Sequence, residues 1–479
     1  MFHGRIAELK KLNEMHESGS FEFAVVYGRR RVGKTTLIRE FIKDKNSLFF
    51  VASESTAADN LLSLSRVIAG KIAAPVFTDY ESALQDIFEL GEKERLVFVI
   101  DEYPYLAGAY RGISSLLQKM IDHRKDASKL MLILCGSSMS FMENQTLGYQ
   151  SPLYGRRTAQ FKILPFTFFE SLPFFENFAA LDKAVLYGMT GGIPEYLRKI
   201  DGRKNVSGNV IDLFLTPSGH LFEEPANLIK QELREPATYN VIIEAIASGA
   251  SRLNDISLKC GLESNKCAKY LASLIALGLV SKEYPYGVSA SKRSIYKLED
   301  FMFRFWYRFV FPNMSAVVAG LGEGVFEFEV EPQLNAYMGL VFEDISRQWF
   351  FEMAKKNALP FFVGSLGRWW GTNPKTHSQE EIDIMSARKS AALFAECKWK
   401  NSDIGVDVYH GLKRKSAIFS FSDNHFYIFT KVPPSFELLQ LEREHSFVEC
   451  FSLEEMIDEL DKAPGNCSVV GCRMAQTKE

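Results

Sequence analysis

The stretch "FEFAVVYGRRRVGKTTLIREF", Phe21–Phe41, decides the fold of the front of the chain. It reads as a buried strand, then a loop, then a helix. The loop fits G-x4-G-K-[ST] through Gly28, Gly33, Lys34 and Thr35. Glycine lets backbone wrap closely around phosphate, so that successive N–H groups point inward, and the helix adds the positive end of its dipole. The expected phosphate cradle is Gly28, Arg29, Arg30, Arg31, Val32, Gly33, Lys34, Thr35 and Thr36. Lys34 is expected to reach the β- and γ-phosphates of ATP, and Thr35 to place its hydroxyl on Mg²⁺.

A second strand should follow in "RLVFVIDEYPYL". Five apolar residues, Leu96 to Ile100, fit a strand buried on both faces, and Asp101 and Glu102 stand at its C-terminal end, where α/β sheets place ligands. Asp101 is the expected Mg²⁺ partner through water. Glu102 is placed to polarise an attacking water, which a bare binding site would not need. "KLMLILCGSS" repeats the layout and brings Ser137 or Ser138 to the γ-phosphate as a sensor, or merely ends a strand. Arg156 and Arg157 in "SPLYGRRTAQFKILPF" could reach a γ-phosphate in the same chain or a neighbour, or form a solvated basic turn.

In this order, "FHGRIAEL", "GRRRVGKTTL", "VIDEYPYL", "SPLYGRRT" and "GGIPEYL" resemble the archaeal-type P-loop ATPases of the signal-transduction (STAND) branch of the AAA+-like proteins. The resemblance covers about the first 235 residues. It implies that Gly4 and Arg5 lie near an adenine pocket and that Gly192 and Pro194 start a helical lid. It takes in Arg29 to Arg31 as well. Because backbone does the cradling, their side chains can face outward.

From "ATYNVIIEAIASGASRLNDISLKCG" to "LIALGLVSKEYPYG" the apolar spacing gives three helices, broken at Gly249 and Gly261, and "SKEYPYGVSASKRSIYKLED" follows like a β-wing. This is winged helix-turn-helix spacing, with Lys266 and Lys269 on the third helix and Lys292 and Arg293 on the wing. Residues 220–312 hold 12 Lys+Arg against 10 Asp+Glu, so protein docking competes with DNA reading. "DFMFRFWYRFVFP" reads as a core helix packing the wing against the next domain.

Near the other end, "EIDIMSARKSAALFAECKWK", Glu381–Lys400, alternates like a β-hairpin and carries Asp383, Glu396 and Lys398 as D-x12-E-x-K. Two carboxylates sharing Mg²⁺ neutralise a phosphodiester, and the lysine serves the water and the phosphate. Glu343, on an amphipathic helix, could add a third carboxylate. The competing reading is a hairpin with a salt-bridged face, but Asp383 lies between Ile382 and Ile384, where charge needs a reason. The ATPases named above often carry a C-terminal domain resembling PD-(D/E)XK nucleases. "GRWWG" and "EIDI" match it, although Ile382 stands where proline is usual.

Composition fits several domains: 479 residues, 47% hydrophobic, net charge −3, with no whole-chain polycationic footprint. Seven scattered cysteines, including Cys467 and Cys472, suit a reducing compartment better than a disulfide framework. No signal peptide or membrane span is read, so the expected location is cytoplasmic.

The expectation is a multidomain α/β chain. It has a P-loop ASCE-type parallel-sheet core at 1–160, a helical lid at 161–235, a winged helix-turn-helix at 236–312, a PD-(D/E)XK nuclease-like α/β domain at 313–462 and a tail at 463–479. Its expected ligands are ATP and Mg²⁺. Its expected partners are nucleic acid, DNA before RNA, or a protein, with a homo-oligomer possible. The expected work is ATP hydrolysis acting as a switch for the nuclease-like domain, or for a docking domain that does not cut.

Overall fold

The computed structural model describes residues 2–71, 76–288 and 293–461. Lys292, Cys467, Cys472 and the expected tail lie outside them. The chain divides into two compact units, Met1–Pro165 with Ile193–Glu195, and Phe166–Gly192 with Tyr196–Glu479. Among the described residues no helix is long and apolar enough to cross a membrane.

The first unit is built on β1 (Glu22–Tyr27), β2 (Ser47–Val51), β3 (Leu96–Asp101), β4 (Leu130–Gly136) and β5 (Ala159–Lys162). Their order is β2-β3-β4-β1-β5, all parallel. Every residue of β3 and β4 is buried, as apolar runs without alternation require of strands covered on both faces. Helices Ala57–Ala69 and Tyr80–Lys93 start on side-chain caps, where Thr56 accepts from the Asp59 N–H and Asp79 from that of Ser82. Their buried faces, including Leu64, Ile68, Leu84 and Ile87, pack with Phe98 and Leu132 in one core. The insertion of β4 between β1 and β3 matters for the site. Parallel pairing brings the C-terminal ends of all three strands to one edge, so Gly28, Ser137 and Asp101–Glu102 meet there. The expected core boundary at 160 falls inside β5, which must run to Lys162 to pair with Tyr27.

The second unit starts with helices, among them Ala180–Thr190, Val206–Phe214 and Glu224–Glu232. Three more follow at Pro236–Ala247, Leu253–Cys260 and Ser264–Ala276, and then the antiparallel pair β6 (Val280–Glu283) and β7 (Ile295–Leu298). Lys266 and Lys269 lie on the third of these helices. The aromatic run is helical at Phe301–Phe305 and widens into a π-turn at Trp306–Val310, with both Phe305 and Trp306 buried.

The last sheet has the order β12-β11-β10-β9-β8, from β8 (Gly367–Thr372), β9 (Gln379–Arg388), β10 (Ala391–Lys398), β11 (Asp423–Thr430) and β12 (Val448–Ser452). β8, β9 and β10 are antiparallel, while β10, β11 and β12 are parallel. The expected hairpin is β9–β10, turning at Lys389 in the left-handed region. Helix Leu334–Lys355 covers one face, with Trp349 and Phe350 against Tyr427, Phe429 and Phe451. Helices Val406–Ser416 and Phe436–Glu444 cover the other, through Tyr409, Leu412 and Leu438.

Candidate active sites

The loop after β1 is shaped by its neighbours. A Cβ at Gly28 would lie 2.2 Å from the Ile163 carbonyl oxygen, so only glycine passes. Gly33 has φ 91° and precedes helix Lys34–Ile42, whose first turn receives no side-chain cap. Its N–H groups are therefore placed for an anion. Lys34 is 6% exposed and folds back, donating to the Gly28 carbonyl at 2.9 Å and the Arg29 carbonyl at 2.8 Å.

Thr35 Oγ1 donates to Asp101 Oδ2 at 2.8 Å, which joins the loop to β3. Asp101 Oδ1 accepts from the Glu102 N–H at 3.0 Å, and Glu102 Oε2 accepts from Ser137 Oγ at 2.9 Å. Thr35, Asp101, Glu102 and Ser137 thus form one polar chain across the edge. Cys135 also belongs to this neighbourhood, unforeseen in the sequence. Burial and then the Asp101 charge push its thiol well up.

Arg5 is 7% exposed and donates to the Val32 carbonyl at 3.2 Å, so it braces the loop. Pro194 lies against Gly33, its Cγ 3.8 Å from where a Cβ would stand. Gly192, in the other unit, has its carbonyl accept from the Phe166 N–H at 2.7 Å. Arg31 is exposed as expected, but Arg30 turns to donate to Tyr105 Oη at 3.0 Å. Arg156 is committed elsewhere. Its Nε and Nη2 grip Asp122 at 2.8 and 2.7 Å, and Nη1 donates to the Pro152 carbonyl at 2.9 Å. A two-pronged pair of this kind ties the loop to helix Ile113–Arg124. Arg157 stays near the end of β1, where its charge acts on the Tyr27 phenol.

The second constellation sits on β9 and β10. Asp383 Oδ2 accepts from the Cys397 N–H at 2.8 Å. Glu396, 7% exposed, accepts from Lys398 at 2.6 Å and from Lys415 at 2.9 Å. Alternation along β10 puts Glu396 and Lys398 on one face. Lys415 arrives from the end of helix Val406–Ser416, and only its place in the basic run "KRK" hinted at it. Burial and then the Asp383 charge raise Glu343, against the pull of Arg368. Burial and then Glu396 raise Asp383, against the Cys397 hydrogen bond. Burial pulls Lys398 down, but Glu396 and Asp383 outweigh it and hold it up. Among the described residues, no three His, Cys, Asp or Glu side chains stand together in a metal-holding group. Glu396 is turned to its two lysines, which neutralise it. Glu343 and Asp383 are hard carboxylate donors raised by burial and by neighbouring negative charge, and such oxygens fit Mg²⁺.

Two family profiles match. One, an ATPase domain predominantly from Archaea, covers residues 2–200. The other, for archaeal and bacterial proteins of unknown function, covers residues 306–413. The uncharacterized protein MJECL04 of Methanocaldococcus jannaschii is 35% identical over 434 residues, spanning 89% of this chain and 94% of its own length. Among solved structures, the Walker-type ATPase paby2304 of Pyrococcus abyssi is similar at 21% identity and a TM-score of 0.49, over 64% of this chain and 96% of that one. The Aeropyrum pernix ORC2 protein, solved as ADPNP–ADP complexes, follows at 14% identity and a TM-score of 0.42, over 67% and 96%. With MJECL04 matched along nearly its whole length, the chain belongs to that protein's family, and its front part is an ATPase domain of the kind found predominantly in Archaea.

Proposed function

We propose that the chain is an ATP-hydrolysing switch whose nucleotide state governs a nuclease-like C-terminal domain acting on nucleic acid. The observation that carries the hydrolytic half is the polar chain from Thr35 through Asp101 and Glu102 to Ser137. A hydroxyl beside a carboxylate suits Mg²⁺, which when bound offsets phosphate charge. Lys34 exchanges its two loop carbonyls for phosphate oxygens. Glu102 exchanges the Ser137 hydroxyl for a water and orients it as general base. Arg5 and Pro194, 189 residues apart in sequence, both shape the loop, in keeping with the adenine and lid roles.

For the C-terminal half, what supports the reading is Asp383 and Glu396 on neighbouring strands, with Glu343 close enough to feel Asp383. Asp383 and Glu343, joined by Glu396 if it leaves its two lysines, would hold Mg²⁺, which supplies charge neutralisation at a phosphodiester. Lys398 and Lys415 hold Glu396 in place, and Lys398 would serve the water and the phosphate. The test is a metal titration of the full chain without nucleotide. Asp383→Ala and Glu396→Ala should each weaken Mg²⁺ or Mn²⁺ binding about tenfold or more, as expected for a shell otherwise made of water. Binding that survives both changes removes the site.

A docking role without cleavage remains the second reading, and one contact favours it. The three helices and β6–β7 fit a winged helix, but the turn after β6 is engaged inside its own unit. The Tyr286 N–H donates to the Arg368 carbonyl at 2.9 Å, and its hydroxyl accepts from the Ala387 N–H at 2.8 Å. A wing so held is less available to a DNA groove.

A further inference from the structure

Three residues of the chain, Ile193–Glu195, belong to the first unit, while the residues on either side of them belong to the second. Both flanks are held. On one side the Gly192 carbonyl accepts from the Phe166 N–H at 2.7 Å. A Cβ on Gly192 would lie 1.7 Å from the Phe166 carbonyl oxygen, which leaves room for glycine alone. On the other side the buried Tyr196 hydroxyl donates to buried Glu224 at 2.7 Å. Between these anchors Pro194 stands against Gly33, in the expected phosphate cradle. The insert is a short tether, pinned at both ends.

Helix Ala180–Thr190 runs into this tether and is keyed to helix Leu334–Lys355 along its last turn. A Cβ on Gly188 would lie 2.9 Å from Met338 Sδ and 3.1 Å from the Val341 methyls, so the two backbones approach closely. The Tyr337 hydroxyl donates to the Gly188 carbonyl, one of the last four that a helix leaves to outside donors. Gln348 Nε2 donates to the Tyr187 hydroxyl at 3.2 Å, and its Oε1 accepts from the Phe168 N–H at 2.7 Å. Tyr187 in turn donates to the Phe166 carbonyl at 3.3 Å, beside the Gly192 anchor. Glu343 lies between these attachments, six residues after Tyr337 and five before Gln348.

We infer that helix Ala180–Thr190 is the relay that carries nucleotide occupancy at the P-loop, through Pro194 and the tether, to the helix bearing Glu343. The inference rests on the switch proposed above and names its moving part. Phosphate in the cradle fixes the Gly33 backbone, on which Pro194 rests. A shift of Pro194 reaches the helix because the intervening glycines are held against Phe166. Coupling of this kind runs through contiguous packed and hydrogen-bonded groups. Moving helix Leu334–Lys355 changes the distance from Glu343 to Asp383 on β9, and so makes or breaks the carboxylate pair.

The test is amide hydrogen exchange of the full chain in Mg²⁺, with and without a non-hydrolysable ATP analogue, read peptide by peptide. Nucleotide binding is followed in parallel with a fluorescent analogue, and no step depends on cleavage. Bound nucleotide should slow exchange in Leu334–Lys355 about fivefold or more, the low end of ordinary coupling between sites. Helix Val406–Ser416, on the other face of the last sheet, should not respond. The double variant Tyr337→Phe/Gln348→Leu should bind nucleotide like the parent and lose the response. Should it fail to fold, either single variant should weaken the response, each having lost one attachment. Nucleotide bound without slowing in Leu334–Lys355, equal slowing in Val406–Ser416, or a full response in the folded variants would each overturn the relay. A parent that binds no nucleotide would remove the ATPase reading, and the relay with it.

Discussion

Glu102 adopts φ 53°, one residue beyond β3, where a non-glycine residue costs about 1–3 kcal/mol. That conformation aims its carboxylate at Ser137 and leaves its N–H on Asp101. Glu102→Gln should therefore keep ATP binding and lose turnover by about 10²-fold or more in a steady-state phosphate-release assay. Ser137→Ala removes only the hydroxyl that holds Glu102, so its loss should be smaller, about tenfold, with affinity unchanged. Lys34→Ala should abolish the thermal stabilisation that ATP gives the parent, because on the proposed reading its ammonium would leave the Gly28 and Arg29 carbonyls for phosphate oxygens. Undiminished stabilisation would remove that lysine from the site. These residues were legible in the sequence because a phosphate cradle demands glycine and lysine at fixed spacing. The pairing of Arg156 was not, because its partner Asp122 stands 34 residues earlier and meets it only in the fold.

At the scale of elements, the strand from Leu96 to Asp101 and the β9–β10 hairpin follow from apolar runs and alternation. The order of the strands does not, since nothing local says that β4 inserts between β1 and β3. The same limit hid the anchoring of β6 and β7. There, Lys297 and Glu283 meet Asp344 and Arg347 on helix Leu334–Lys355, across sequence separations no pattern spans. Asp344 is 14% exposed. Burial raises it, but Lys297, Arg347 and Arg304 outweigh that and hold it below the ordinary carboxylate range. Removing one partner of such a group leaves buried positive charge uncompensated, at a cost of about 3–5 kcal/mol. All five tryptophans lie at or after Trp306, so their fluorescence reports the second unit alone. Asp344→Asn should lower the urea midpoint of that fluorescence transition without moving the ATP hydrolysis rate. An unchanged midpoint would mean that the ion group adds nothing to the fold.

At the scale of the whole molecule, two acid-and-lysine centres lie in two separately compact units, more than two hundred residues apart in sequence. Their residues do not overlap, so each can be disabled alone. The motif D-x12-E-x-K made the second centre legible as to residue type. The grip of Lys415 on Glu396 was not, because it joins a strand to a later helix. The account requires the first centre to control the second. The measurement that tests this most directly is cleavage of a panel of DNA and RNA substrates in Mg²⁺ by the full chain, with no nucleotide, with ATP and with a non-hydrolysable ATP analogue. Lys398→Ala and Glu102→Gln are run beside the parent. The account predicts cleavage whose rate changes with nucleotide state, stops in Lys398→Ala while ATP hydrolysis continues, and is locked in its ATP-bound level in Glu102→Gln. Cleavage indifferent to nucleotide, cleavage that persists in Lys398→Ala, or no cleavage in any state would contradict it.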